Sequence, residues 1–222
     1  KDKIWLRRSK PSQREYQIML VIDDSKSMRE SAADSVSFKT LALIGTALAQ
    51  LEVGQIGVMS FGEDVKYIHS LGTPFTSEAG AAVLTHFSFA QDQTDYRGCI
   101  ESLMAILMQA RMRLSGAAKR AVQIAFVISD GRISSNREAL AKLLRDAEEN
   151  NILIVLLIVD NPKDPGSSIL KTRVYLGGSK LARYLDNYPF PYYLVVQSVE
   201  ELPEVLSDAL TQWFEMINSR NE

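Results

Sequence analysis

Apolar and polar positions along this chain fall into blocks, and their period switches between that of a buried strand and that of an amphipathic helix. Gln17 to Asp23 is a nearly continuous apolar run closed by an acid, the pattern of a strand covered on both faces. Ser37 to Leu51 reads as a helix, and Ile56 to Phe61 as a second strand stopped by Gly62. Val65 to Leu71 follows after only three residues, too few for a crossover, so an antiparallel edge strand is expected there. Ser77 to Phe87 and Ile100 to Leu114 read as helices. The second of these places Ile100, Leu103, Met104 and Leu107 on one face, and its Met104, Met108 and Met112 are expected to fill the core.

Val122 to Ser129 is a further buried strand, ending in Asp130-Gly131. Ser135 to Glu138 has the spacing of a capping box, which should open a helix running to about Asn150. Ile152 to Val159 is the most apolar strand. Asn161 to Asn187 is rich in Pro and Gly and reads as an irregular insertion, in which Gly177-Gly178-Ser179 has the composition of an engineered linker. Tyr192 to Gln197 is the last strand. A second capping box at Ser198 to Glu201 opens a helix whose Leu202, Val205, Leu206, Leu210, Trp213 and Phe214 share an apolar face, so Trp213 belongs to the core.

Alternating strands and helices imply an α/β fold, a mostly parallel six-stranded sheet with one antiparallel edge strand and helices on both faces. The expected organisation is one domain over residues 17–219, with an insertion at 161–187 and a basic lead-in at 1–16. Lys1, Lys3, Arg7, Arg8, Lys10 and Arg14 of that lead-in read as a solvated segment before they read as an import or nucleic-acid signal. With a net charge of −2, the chain as a whole has no general attraction to nucleic acid or anionic lipid. No apolar run approaches the ~20 residues of a membrane span. Cys99 is the sole cysteine, so no internal disulfide can form; a reducing compartment and a buried, hydrophobe-like thiol are expected. The chain opens on Lys1 without a signal pattern, as a piece of a longer protein would.

Two apolar strands end in an acid, at Asp23 and Asp130. In open α/β sheets ligands bind beyond the carboxyl ends of strands where the order reverses, and a 3-2-1-4-5-6 order would make these two ends neighbours. The turn after Asp23 adds Ser25 and Ser27, and the polar loop from Gln91 to Gly98 can add Thr94. Two carboxylates and three hydroxyls, with no sulfur or imidazole, select a hard cation, Mg²⁺, Mn²⁺ or Ca²⁺, over zinc or copper. Two carboxylates balance a divalent charge, so such a site can still accept an outside anion. Taken alone, the Asp23–Ser27 stretch is equally compatible with a surface turn or a helix cap.

A metal-dependent phosphohydrolase with Asp23 as nucleophile is the competing chemistry, but the second acid such enzymes place two residues on is here Ser25. No G-x-S-x-G elbow and no G-x-x-x-x-G-K-[ST] loop occurs, and the two histidines, His69 and His86, lie away from every motif.

Asp23-Asp24-Ser25-Lys26-Ser27, Thr94 and Asp130-Gly131 resemble, in order and spacing, the metal-ion-dependent adhesion site of von Willebrand factor A domains. In that family the serines and threonine bind Mg²⁺ directly, and the acids bind directly or through water. The resemblance implies a von Willebrand factor A (Rossmann-like) fold and a binding module with no catalytic activity. Around the metal, Asp24, Lys26, Met28, Asp95, Tyr96 and Arg132 are expected to form a partner-binding rim. The stretches "IWLRRSKPSQREYQI", "YLDNYPFPYYLVV" and "LPEVLSDALTQWFE" further resemble the C-terminal domains of giant AAA ATPases that remodel precursors of the large ribosomal subunit. That likeness implies a nuclear setting (nucleolus and nucleoplasm). It also implies two types of assembly factor as partners, gripped by their ubiquitin-like domains through a glutamate that completes the Mg²⁺ shell while the motor pulls. An adhesion-type domain with another ligand is the alternative within the same fold. Those ATPases often carry a longer insertion than Asn161 to Asn187.

Overall fold

The computed structural model describes residues 16–30, 39, 54–114, 121–133, 136–160, 168–176 and 180–198. Most of the helix expected at Ser37–Leu51, both the capping box and the helix after Ser198, and the Gly177-Gly178-Ser179 stretch lie outside the described residues.

The central element is β1 (Tyr16–Asp23), flanked by β2 (Gln55–Phe61) on one side and β4 (Val122–Ser129) on the other, both parallel to it. Beyond β2 lies β3 (Lys66–His69), antiparallel as its short connection requires; beyond β4 lie β5 (Ile152–Val159) and β8 (Tyr193–Val196), both parallel. The six-stranded order β3-β2-β1-β4-β5-β8 is the expected 3-2-1-4-5-6, and it reverses between β1 and β4.

Side chains alternate across this sheet with a period of two, and both faces are packed. On one face Ile18, Leu20, Ile22, Val58, Phe126, Ile128 and Leu157 meet Met28, Val83 and Phe89. On the other, Met19, Val21, Met59, Ala125, Val127, Leu156 and Ile158 meet Ile100, Leu103 and Leu107 of α3 (Tyr96–Arg113) and Leu140, Leu144 and Ala147 of α4 (Arg137–Glu149). Cys99 is fully buried in this second layer, and burial pushes its thiol far above the usual range.

Helix boundaries depart from the sequence expectation for local reasons. The helix expected from Ile100 begins at Tyr96, because the Asp95 carboxylate accepts the Gly98 N–H at 3.0 Å as an N-cap. A Cβ on Gly98 would lie 2.5 Å from Asp95 Oδ2, so the glycine permits this close cap. Helix α2 (Ser77–Leu84) stops short of Phe87, where the Thr85 hydroxyl and the His86 ring both bond the Ala82 carbonyl. Helix α4 ends near Asn150 as expected, yet its cap is Asn136 in a left-handed conformation without a side-chain bond. Of the three methionines expected in the core, Met104 packs against it while Met108 and Met112 are exposed, since the apolar face of α3 drifts away from them.

The insertion is not irregular throughout. It carries an antiparallel pair, β6 (Arg173–Leu176) and β7 (Lys180–Arg183), followed by a 3₁₀ turn over Tyr184–Asn187. Its base is tied to the end of β5 by Asp160, whose carboxylate accepts from Ser168 Oγ at 2.7 Å, Ile169 N at 3.0 Å and Gln197 Nε2 at 3.0 Å.

Candidate metal centre

The strand ends at the reversal point converge. Asp23 closes β1 fully buried, and its Oδ1 accepts the Ser25 N–H at 3.0 Å, which folds the chain into a tight turn. Its Oδ2 accepts the Ser129 hydroxyl at 2.6 Å from the end of β4. Within the turn Ser25 Oγ and Ser27 Oγ stand 2.9 Å apart. Asp130 follows Ser129 directly; its Oδ1 accepts the Arg132 N–H at 3.0 Å, while its Oδ2 is buried and has no hydrogen-bond partner. The Arg132 Nε lies 3.9 Å from that oxygen.

Thr94 is half-buried immediately before the cap of α3. The Asp95 N–H bonds the Gly62 carbonyl at 2.8 Å, which anchors this segment to the end of β2. Thr94, Asp95, Tyr96 and Arg97 line a recess of about 30 Å³ with Ile133, Asn136 and Leu140, so the threonine's loop faces the one that follows Asp130.

Burial raises the Asp23 carboxyl to about 6 against the opposing hydrogen bonds from Ser129 and Ser25, and the neighbouring Asp130 charge adds to the rise. Two buried acids at adjacent strand ends, one pushed toward protonation and one with an unpaired oxygen, make a site short of positive charge. Among the described residues no group of three or more His, Cys, Asp or Glu assembles; the hydroxyls beside the two acids include those of Ser25, Ser27 and Ser129. Carboxylate and hydroxyl oxygens fit a hard divalent cation and do not fit zinc or copper.

The expected rim divides in two. Lys26, Asp95 and Arg132 are exposed, with Lys26 Nζ paired to Asp92 at 2.5 Å. Asp24, Met28 and Tyr96 are buried and cannot form a rim. The Asp24 carboxylate accepts from Ser88 N, Ser88 Oγ, Phe89 N and Gln91 Nε2, and so holds the loop after α2 against the site. Met28 packs in the core, because the short helix α1 (Lys26–Glu30) turns it inward. Tyr96 stacks edge-on to Phe61 and Phe190, and its hydroxyl meets Ser129 Oγ at 2.5 Å. His69 and His86 bond the Thr73 and Ala82 carbonyls.

The residue that the motif spacing does not single out is Ser129, which joins Asp23, Tyr96 and the Gly131 N–H at one oxygen. Its signal in the sequence is weak: a single hydroxyl closing an apolar strand, beside the more conspicuous Asp130.

Comparison with known proteins agrees with this fold. The profile of the von Willebrand factor type A domain matches residues 18–132. The chain is 36% identical over 221 residues to midasin of Dictyostelium discoideum, covering 99% of this chain and 4% of that protein. It is 31% identical over 226 residues to midasin of Giardia intestinalis, covering 100% of this chain and 5% of the relative. The chain therefore spans about one-twentieth of the curated relatives it matches. Among solved structures, the conserved hypothetical protein BatB of Bacteroides thetaiotaomicron superposes with a TM-score of 0.55 at 15% identity, over 90% of this chain and 99% of that one. The manganese-loaded TRAP protein of Plasmodium vivax superposes with a TM-score of 0.51 at 13% identity, over 65% of this chain and 57% of that one. Both likenesses concern the fold. With the profile spanning β1 through the Asp130 loop, this chain belongs to the von Willebrand factor type A domain family.

Proposed function

We propose that this chain is a metal-dependent protein-binding domain, in which Asp23, Ser25, Ser27, Thr94 and Asp130 hold one divalent cation and a partner's carboxylate completes the site. The observation that carries this reading is Asp130 Oδ2, a buried carboxylate oxygen without a hydrogen bond, close to a second buried carboxylate that is pushed toward protonation. A bound cation would supply the missing positive charge and an open coordination position for an outside oxygen. The chain's own residues do the rest. Asp23 and Asp130 balance a divalent charge, the paired hydroxyls of Ser25 and Ser27 add neutral oxygens, and Ser129 and Tyr96 orient Asp23 from behind. Mg²⁺ is the preferred ion on this donor set, with Mn²⁺ or Ca²⁺ as substitutes.

The likeness to midasins along the whole chain supports a narrower reading. In it the domain is one part of a AAA ATPase of large-subunit assembly in the nucleus (nucleolus and nucleoplasm). Its partners are the ubiquitin-like domains of ribosome assembly factors, each offering a glutamate to the metal, and it reaches the ribosomal precursor only through the parent protein. Lys26, Asp95 and Arg132 frame the opening and contribute specificity rather than chemistry. The domain grips and does not catalyse; this follows the binding role typical of the family.

The test is a pull-down of purified ubiquitin-like domains of ribosome assembly factors on the immobilised chain, with Mg²⁺ or with chelator. Capture in Mg²⁺ that is lost with chelator and in Asp23→Ala supports the proposal. Capture that is indifferent to both overturns it.

A further inference from the structure

The insertion reaches back onto the loop that carries Asp130. Tyr188 Oη donates to the Gly131 carbonyl at 2.6 Å. Tyr184 Oη accepts the Ile133 N–H at 2.5 Å and donates to the Ile133 carbonyl at 3.0 Å, so one hydroxyl closes both polar groups of a single residue. The Arg137 guanidinium covers the Tyr184 ring at 4.4 Å from its centroid. Tyr188 packs on Phe190 and Tyr193, and the Tyr184 N–H bonds the Thr172 carbonyl at 2.9 Å, which fixes the clamp to the rest of the insertion.

This clamp bears on Asp130, whose Oδ2 is buried and accepts no hydrogen bond among the described residues. Gly131 adopts φ +74°, so the chain leaves Asp130 through a conformation that other residues rarely take and that bends it toward Tyr188. Arg132 stands next, half-exposed, with its Nε 3.9 Å from Asp130 Oδ2. A loop free to relax would let that guanidinium close the 3.9 Å gap and hydrogen-bond Oδ2, a charge-assisted contact. Asp130 would then be closed to any other cation.

We propose that Tyr184 and Tyr188 are positioning residues for Asp130: their hydroxyls hold the Gly131–Ile133 loop so that the Arg132 guanidinium stays 3.9 Å from Asp130 Oδ2, too far to hydrogen-bond it and take the place of a metal. The proposal rests on the metal-site reading above. It assigns the end of the insertion and the residue that follows it a role in the site, through two side chains that do not themselves ligate the cation.

The experiment is Mn²⁺ titration of the 222-residue chain, followed by electron paramagnetic resonance of the free ion at a temperature where every variant is folded. Tyr188→Phe and Tyr184→Phe keep the rings and remove only the hydroxyls. Tyr188→Phe, which loses one neutral hydrogen bond, should weaken Mn²⁺ binding by about three- to tenfold, and Tyr184→Phe, which loses two, by at least as much. Adding Arg132→Gln to Tyr188→Phe should restore most of that loss, because it removes the competing cation. A merely structural role would lower the melting temperature in chelator and leave the Mn²⁺ affinity untouched; that result overturns the proposal. If the wild-type chain binds no Mn²⁺, or Asp130→Asn binds it equally well, the metal-site reading fails and this one fails with it.

Discussion

Ser129 Oγ donates to Asp23 Oδ2 across 2.6 Å, joining the ends of β1 and β4 at the point where the strand order reverses. The same oxygen receives the Gly131 N–H and faces the Tyr96 hydroxyl, so the orientation of Asp23 depends on a residue outside the motif. Ser129→Ala should therefore leave the fold intact, costing about 1 kcal/mol for the lost hydrogen bond. It should also weaken Mn²⁺ binding, because the Asp23 carboxylate loses a donor that favours its charged form. Thermal melting in chelator and calorimetric Mn²⁺ titration measure the two effects separately.

The burial of Asp23 predicts a pH dependence whose sign is fixed. Its folded value, about 6, lies above the ordinary 3.8, so the metal-free fold holds this proton more tightly than the unfolded chain. Metal-free stability should be unaffected below the ordinary value, decline as pH rises through about 6, and carry the full cost above it, about 3 kcal/mol at most. Asp23→Asn should remove this decline. Mn²⁺ competes with the same proton, so its affinity should climb up to that pH and level off beyond it. Melting curves in chelator and Mn²⁺ titrations between pH 4.5 and 8 test both trends.

Removing the proposed ligands should separate binding from folding. Asp23→Ala, or Ser25→Ala with Ser27→Ala, should abolish metal-dependent partner capture while circular dichroism stays native. These side chains close strand ends and turns and contribute little apolar burial. A collapsed spectrum would mean that they are structural.

The partner's carboxylate should act through the metal. Replacing the partner's glutamate with glutamine keeps its shape, removes its charge, and should cost several kcal/mol of affinity, the scale for stripping one member of a buried charged contact. Chelation should cost a similar amount, and the two losses should not add, because each removes the same bond. Titrations of both partners with and without chelator form the cycle that checks this.

By itself the sequence determined the main strands and the mostly parallel sheet, while their order and the β6–β7 pair came from the structure. Continuous apolar runs such as Ile152–Val159 have no polar face to offer water, so they must be central strands, and the three-residue link before Val65 permits only an antiparallel neighbour. It also narrowed the candidate chemistry, since carboxylates and hydroxyls at the proposed ligands Asp23, Ser25, Ser27, Thr94 and Asp130 suit hard cations before any geometry is known. What only the tertiary structure decided is which polar residues face the opening and which support it from behind. Asp24 and Tyr96 look like rim residues along the chain, yet Asp24 is consumed by the loop at Ser88–Gln91 and Tyr96 is packed between Phe61 and Phe190. Tyr184 looks like part of an irregular insertion and Tyr188 follows it directly, yet they clamp the Gly131–Ile133 loop from more than 50 residues away. Such contacts carry no periodic signal. Each depends on where a distant segment returns to the sheet, and that is set by the packing of the whole domain.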